Sequence, residues 1–217
     1  MFAPTACGGG SSAQEAEDKA EKVRHIPEDS QTYEGEPLPA GRYATEEFEP
    51  AMSFELVKGW ARGGPELRES WGLQDIENDA FWLFFANTEK VYDPKGSNGL
   101  KITPAPKDIA AWLQANPHLK TEEPKSTSVG GEKGVRFDAL VTGAVETPLC
   151  PGCVDLPLFH DSAGASGVEK GEKIRFIIVE DVKGETVTIF VESTPQAFEE
   201  FMPKAQKVLD TVKWGSS

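Results

Sequence analysis

Residues 172–214 constrain the fold of this chain more than any other stretch. Two segments rich in β-branched and aromatic residues, 174–179 and 186–191, flank a polar segment that contains Gly184. This order predicts a β-hairpin. The first strand is apolar on both faces, which is typical of a strand covered on two sides, whereas the second alternates more clearly.

A long amphipathic helix is predicted to follow the hairpin and to fold back over it. Ser193, Thr194 and Pro195 resemble a helix start, with a hydroxyl cap and a proline in the first turn. Pro203 lies inside the helical pattern and predicts a kink. The apolar residues that recur at the spacing of one helical face are Phe198, Phe201, Met202, Ala205, Val208, Leu209 and Val212.

The charge balance excludes several kinds of partner. The 217 residues carry 36 acids against 22 bases, which gives a formal net charge of −14. Binding to nucleic acid or to an anionic lipid surface needs clustered lysine and arginine, so we expect neither.

The sequence has no run of 18 apolar residues, and therefore predicts no membrane-spanning helix. It also has no phosphate loop, dinucleotide glycine pattern or zinc-protease motif, so no cofactor and no metal is predicted.

The first residues point to export. Small Thr5 and Ala6 precede Cys7, and a glycine- and serine-rich stretch follows it. This order resembles the cleavage end of a bacterial lipoprotein signal, in which the cysteine becomes the lipidated N-terminus of the mature protein. The resemblance implies lipidation of Cys7 and an extracytoplasmic protein anchored to the cell membrane. The alternative is a cytosolic protein in which Cys7 is a free or buried thiol.

The chain divides into two parts by composition. Residues 1–37 are polar, acidic and punctuated by glycine and proline, and we expect them to form a disordered tether behind the lipidation site. Residues 38–217 form a single domain. Its predicted strands include 52–56, the central strand 80–86, and the pair 126–129 and 134–141, and residues 106–114 read as a short helix. The predicted fold class is α+β, with a mostly antiparallel sheet.

A family resemblance follows from this order of elements. The motif Phe-Glu-Leu-Val-Lys-Gly-Trp occupies residues 54–60, and Val-Gly-Gly-Glu-Lys-Gly-Val, at 129–135, leads into a strand. With the closing hairpin and terminal helix, the chain resembles the α/β/α sandwich of PsbP-like proteins, and also uncharacterised lipoproteins of Gram-positive bacteria. The resemblance implies a binding or assembly module, not an enzyme, and transfers no functional residue.

The motif Cys150-Pro151-Gly152-Cys153 carries chemistry of its own. Its central proline and glycine favour a type II turn, which brings the two cysteines within disulfide range. We expect a structural disulfide, since exported chains oxidise paired thiols. Dithiol redox chemistry, a metal site and two free thiols are the alternatives. No helical pattern follows Cys153, and a helix N-terminus is what usually activates a redox pair.

Two further pairs of residues are candidates for a function. Trp60 and Trp71 are candidates for lining a ligand groove, although tryptophan more often fills a core. His160 and Asp161 are predicted to lie in a solvated loop in preference to forming an acid–base pair.

The sequence therefore predicts a lipid-anchored, non-enzymatic binding or assembly module outside the cytoplasm. Its partner is an unidentified protein or small ligand. The alternative function is an extracytoplasmic thiol–disulfide oxidoreductase that uses Cys150 and Cys153.

Overall fold

The computed structural model describes residues 23–26, 37–78, 80–94, 101–145 and 155–215. Two helices lie in these ranges, α1 (Ile109–Gln114) and α2 (Phe198–Leu209). The strands, in chain order, are β1 (Arg24–His25), β2 (Pro37–Leu38), β3 (Gly41–Ala44), β4 (Met52–Leu56), β5 (Trp60–Arg62), β6 (Ser70–Asp75), β7 (Trp82–Asn87), β8 (Lys90–Asp93), β9 (Lys101–Pro104), β10 (Leu119–Thr121), β11 (Lys125–Val129), β12 (Glu132–Val141), β13 (Asp155–Asp161), β14 (Gly164–Glu169), β15 (Lys173–Val182), β16 (Glu185–Ser193) and β17 (Lys213–Trp214).

A nine-stranded sheet forms the centre of the domain. Its order is β10-β12-β15-β16-β7-β6-β5-β2, and β11 pairs with β12. All of its pairings are antiparallel. The hairpin predicted from the sequence is β15–β16, and the predicted central strand is β7, which pairs with both β16 and β6. The mostly antiparallel α+β fold is confirmed.

One face of the large sheet is covered by α2 and by a four-stranded sheet of β1, β3, β4 and β17. Ile177 and Val179 of β15 face this first core, as do Val187, Ile189 and Val191 of β16. Apolar residues of α2 pack against them: Phe198, Phe201, Met202, Ala205, Val208 and Leu209. These are the residues whose helical spacing predicted a docking face.

The opposite face is covered by α1 and by a second small sheet, in the order β14-β13-β8-β9. Ile174, Phe176 and Ile178 of β15 face this second core, together with Phe190 of β16. Ile109 and Leu113 of α1 complete it. Strand β15 is therefore covered on both sides, as its two apolar faces indicated.

The terminal helix is shorter than expected. It spans the 12 residues Phe198–Leu209, with Ala197 at its N-cap and no side-chain cap. Ser193 is the last residue of β16, so it continues the strand and does not cap the helix. The helix runs through Pro203. No helix of the described ranges is long and apolar enough to cross a bilayer.

Before Pro37, the structure describes only residues 23–26. Strand β1 pairs in parallel with β3, and Ile26, which is 3% exposed, joins the first core. These residues belong to the folded domain, although composition placed them in the tether. The rest of the expected tether and Cys7 lie outside the described residues.

Candidate functional site

A pocket of about 440 Å³ lies between the large sheet and the β13–β14 pair. We call it the acidic pocket, because four carboxyl side chains line it and none of its lining residues in the described ranges is basic. These residues are Ala80, Trp82, Asp155, Gly167, Val168, Glu169, Glu172 and Glu192. The pocket thus gathers one sign of charge from several separate elements.

Glu192 reaches the pocket from the end of β16. In the strand register it lies between Trp82 of β7 on one side and Ile174 of β15 on the other. Ile174 and Phe190, the residue two places earlier on β16, both belong to the second core. Residues two apart on a strand share a face, so Glu192 lies on the face that β13 and β14 cover.

The carboxyl group of Glu192 is buried at its Oε2 atom, although the residue as a whole is half-buried. Its Oε2 atom has no hydrogen-bond partner among the described residues. Burial raises the pKa of Glu192 well above its usual value, and the charges of Glu172, Glu169 and Asp155 raise it further. Burial and the neighbouring charges therefore both favour the protonated acid.

The other three carboxyls surround this group. Asp155 begins β13 and lies directly opposite Glu169 of β14 in the antiparallel register. Glu172 Oε2 accepts a hydrogen bond of 2.9 Å from the backbone N–H of Glu169. Burial raises the pKa of Glu172, as do the nearby charges of Glu169 and Asp155, whereas the hydrogen bond opposes this rise. Two neighbouring acids thus have raised pKa values.

Trp82 is the aromatic residue among those that line the pocket. Its six-membered ring lies against Gly63, where an added Cβ would come within 2.7 Å of the ring carbon Cζ3. The absence of a side chain at Gly63 leaves room for this ring position. Aromatic faces attract cations, and indole does so most strongly. Carboxyls and an indole ring together are suited to a positively charged group.

The described carboxyls of the pocket are not grouped as the ligands of one metal ion. The described residues hold no group of three or more histidine, cysteine, aspartate or glutamate side chains placed to bind one metal ion. The carboxyls therefore surround the pocket without converging on one point, and an extended cation fits this arrangement better than a metal ion does.

A second pocket, of about 290 Å³, lies at the other end of β13. His160 and Asp161 line it, and both belong to that strand, not to the solvated loop that the sequence suggested. They have separate partners. His160 Nδ1 lies 3.0 Å from the hydroxyl of Tyr92. Asp161 Oδ2 accepts hydrogen bonds from the hydroxyls of Ser70, at 2.6 Å, and Ser166, at 3.0 Å. These bonds tie β13 to its neighbours.

The expected tryptophan groove is not formed. Trp60 is 0% exposed and Trp71 is 2% exposed, and both lie in the first core. Trp71 stacks between Phe54, at 4.8 Å, and Phe85, at 4.7 Å. Trp60 packs on Phe201 at 5.7 Å. Both rings lie on the face of the large sheet that α2 and the four-stranded sheet cover. The sequence alone does not show which face of so short a strand is buried.

Cys150 and Cys153 lie outside the described residues. The expected disulfide and its redox and metal-binding alternatives therefore stay predictions. The same holds for Cys7.

Sequence reasoning missed the acidic pocket. Its carboxyls are separated along the chain, and an acid that ends an alternating strand usually faces solvent. One signal was present: Glu192 shares its strand face with Phe190, an apolar residue that needs cover.

No protein-family model and no curated protein matches this sequence. Two solved structures are similar to it, with low TM-scores and low sequence identities. The solution structure of cyanobacterial PsbP (CyanoP) from Synechocystis sp. PCC 6803 has a TM-score of 0.42 and 9% identity, over 81% of this chain and 92% of that chain. The crystal structure of LpqN, involved in cell envelope biogenesis of Mycobacterium tuberculosis, has a TM-score of 0.38 and 8% identity, over 82% and 88%. PsbP is the class that the sequence resembles, but at these values neither likeness assigns a family or a function.

Proposed function

We propose that this chain is an extracytoplasmic, non-enzymatic binding module that holds a positively charged ligand in the acidic pocket. The observation that carries the proposal is the buried carboxyl of Glu192, whose Oε2 has no partner in the described part of the chain. An ionised carboxylate without a partner is costly to bury. Three further carboxyls add repulsion. A bound cation offsets both costs, since it pairs with Glu192 and reduces the repulsion.

Binding fits the pocket better than catalysis does. A protonated acid beside ionised carboxylates also occurs in acid–base enzymes. Here, however, the lining residues apart from the carboxyls are alanine, tryptophan, glycine and valine. Within the described ranges the lining therefore offers no hydroxyl, thiol, imidazole or amine as a nucleophile, and no cationic group to stabilise a developing negative charge.

A nuclear magnetic resonance titration tests the binding proposal. The probe is n-butylamine, which is a cation at neutral pH, and butan-1-ol is the neutral compound of the same chain length. The indole N–H signal of Trp82, identified by its loss in Trp82→Phe, reports on the pocket. We expect butylammonium to shift this signal saturably and butan-1-ol to leave it unchanged.

Variants locate the binding. Glu192→Gln removes the charge and is expected to weaken butylammonium binding about tenfold, the size of one charge-assisted hydrogen bond. Glu180→Gln is the matched control, because Glu180 is an exposed acid of β15 outside the pocket. The absence of a saturable shift, or equal weakening by the two variants, would contradict the proposal.

The proposed location rests on the sequence around Cys7. We propose that this cysteine is lipidated and holds the domain at the outer face of the cell membrane, on the acidic segment that follows it. Expressed from its own gene with the upstream DNA, the wild type is expected to incorporate labelled fatty acid and to partition with membranes. Cys7→Ala is expected to do neither. Equal partitioning of the two proteins would rule out the lipid anchor.

A further inference from the structure

We infer that the ligand of the acidic pocket carries an N–H donor, as an organic ammonium or guanidinium group does, and that on binding it replaces a proton held by Glu192. This inference rests on the proposed function and names the class of ligand and the exchange that accompanies binding. Cations without N–H groups, such as quaternary ammonium compounds, are expected to bind more weakly.

The need for a donor follows from the state of Glu192. Its Oε2 is a hydrogen-bond acceptor that is buried and has no partner among the described residues. An ionised carboxylate is acceptor-only, so a cation must bring its own N–H to satisfy it. A quaternary ammonium group brings charge but no hydrogen, and would leave this oxygen unbonded. A charge-assisted hydrogen bond is about twice as strong as a neutral one.

The size and shape of the pocket agree with an organic cation. Its volume of about 440 Å³ exceeds what one ion needs. The described residues do not converge as metal ligands. Trp82 lies opposite Glu192 in the strand register and lines the same pocket. The carboxyls of Asp155 and Glu169 accept further N–H groups.

The proton exchange follows from the groups that face Glu192. Asp155 of β13, Glu169 of β14 and Glu172, which precedes β15, bring negative charge, whereas β7 and β15 contribute the uncharged Trp82 and Ile174 beside it. Both burial and this charge favour the neutral acid in the empty pocket. A bound cation favours the carboxylate. The O–H bond of Glu192 then breaks, its proton passes to solvent, and the ligand N–H donates to the carboxylate oxygen.

Matched cations test the class of ligand. The pair is n-butylamine and n-butyltrimethylammonium, which share the alkyl chain and the charge and differ in N–H groups. Followed at the Trp82 signal, the wild type is expected to bind butylammonium about tenfold more tightly, as one charge-assisted hydrogen bond requires. In Glu192→Gln this preference is expected to disappear, and in Glu180→Gln to persist.

The pH dependence tests the exchange. Butylammonium stays charged between pH 5 and pH 8, so a change in its affinity reports on the protein. Release of one proton makes binding tighter by up to about tenfold per pH unit, until Glu192 is ionised in the free protein. Glu192→Gln is expected to show a flatter profile than Glu180→Gln.

Titration with a lysine peptide distinguishes two sources of the cation. The tripeptide acetyl-Gly-Lys-Gly-amide carries the same butylammonium group on a peptide backbone. Tighter binding of the peptide indicates the lysine of a partner protein, and tighter binding of butylamine indicates a free small amine.

The failures can be told apart. If both cations bind with equal affinity, the N–H requirement is wrong and the cation-binding module stands. If butylammonium binds with the same affinity throughout the pH range, the proton exchange is wrong. If no cation binds at any pH, the proposed function falls together with this inference.

Discussion

Asp155 and Glu169 lie directly opposite each other in the antiparallel pair β13–β14, and both line the acidic pocket. Like charges in this position destabilise a sheet by a few tenths of a kcal/mol up to about 1 kcal/mol. The fold nevertheless places this pair beside the buried carboxyl of Glu192. Such an arrangement favours a bound cation over an empty pocket, because the cation reduces the repulsion among all of these groups.

Removing one charge of the Asp155–Glu169 pair should stabilise the protein when no ligand is bound. We expect Asp155→Asn to raise the free energy of unfolding by about 0.5 kcal/mol at low ionic strength and neutral pH, because it removes the repulsion from Glu169. Urea denaturation measures the change. Glu180→Gln replaces an exposed acid and should leave the stability nearly unchanged. A destabilised Asp155→Asn would show that the carboxylate has a favourable partner in the fold.

The ion pair of Arg175 and Asp138, in contrast, is expected to stabilise the fold. Arg175 of β15 donates to Asp138 of β12 through Nε, at 2.6 Å, and Nη2, at 2.8 Å. The two side chains are only 16% and 11% exposed. Asp138→Ala leaves the guanidinium without this partner in a buried position, and we expect a loss of about 3 kcal/mol on urea denaturation.

The exposed pair Arg68–Glu49 provides the control, since its side chains are 63% and 58% exposed. Glu49→Gln should have little effect on the midpoint of unfolding, because solvent already screens this pair. If Asp138→Ala proved equally mild, the buried pair would contribute nothing beyond its packing.

The docking of α2 provides a third prediction. Phe201 is 3% exposed and packs against Trp60, at 5.7 Å, and Phe81, at 4.9 Å. Phe201→Ala leaves a cavity in the first core, and we expect it to cost about 3–5 kcal/mol. Lys207→Ala, at an exposed position of the same helix, is the control. An unchanged melting temperature for Phe201→Ala would contradict the observed packing.

The parts of this fold that could be predicted are those with strong local periodicity. Strands β15 and β16 repeat apolar residues at the spacing of a strand, and α2 repeats them at the spacing of a helix. Both patterns persist over enough residues to identify the element. The start of α2 was placed too early, because Ser193 and Thr194 look like a cap when the strand before them is read as ending at Val191.

Strands β13 and β14 could not be recognised in the same way. They contain Pro157, Gly164 and Gly167, which usually mark turns, and β14 has only Val168 as a large buried residue. Their pairing depends on the cover they give to the second core, which is a tertiary effect. The acidic pocket lies at their edge, so missing these strands also meant missing the site.

A fourth prediction concerns Cys150 and Cys153. Pro151 and Gly152 favour a turn that brings the two sulfurs together, and closing so short a loop stabilises a fold by well under the 3 kcal/mol or so expected for fifteen residues. We expect an oxidised bond in the exported protein, slow alkylation after reduction, and no turnover of a disulfide substrate. A thiolate that reacts at pH 6, together with insulin reduction, would support the alternative oxidoreductase.

The last prediction concerns how the protonation of Glu192 changes the stability with pH when no ligand is bound. Its pKa is raised in the folded protein, first by burial and then by the charges of Glu172, Glu169 and Asp155. Below the usual glutamate value both folded and unfolded chains hold the proton, so this group does not change the stability with pH. Above that value the unfolded chain releases its proton while the folded chain keeps it. Stability therefore falls with rising pH, by at most about 1.4 kcal/mol per pH unit, until the folded protein also ionises.

Glu192→Gln is uncharged at every pH and lacks this decline. Measured by urea denaturation from pH 4 to pH 8, the difference in unfolding free energy between variant and wild type is expected to shift steadily in favour of the variant as the pH rises. Other acids titrate in both proteins and largely cancel in the difference. Glu180→Gln should follow the wild type throughout. A difference that stays constant over this range would show that the pKa of Glu192 is the same in the folded and the unfolded protein, and would contradict the raised value.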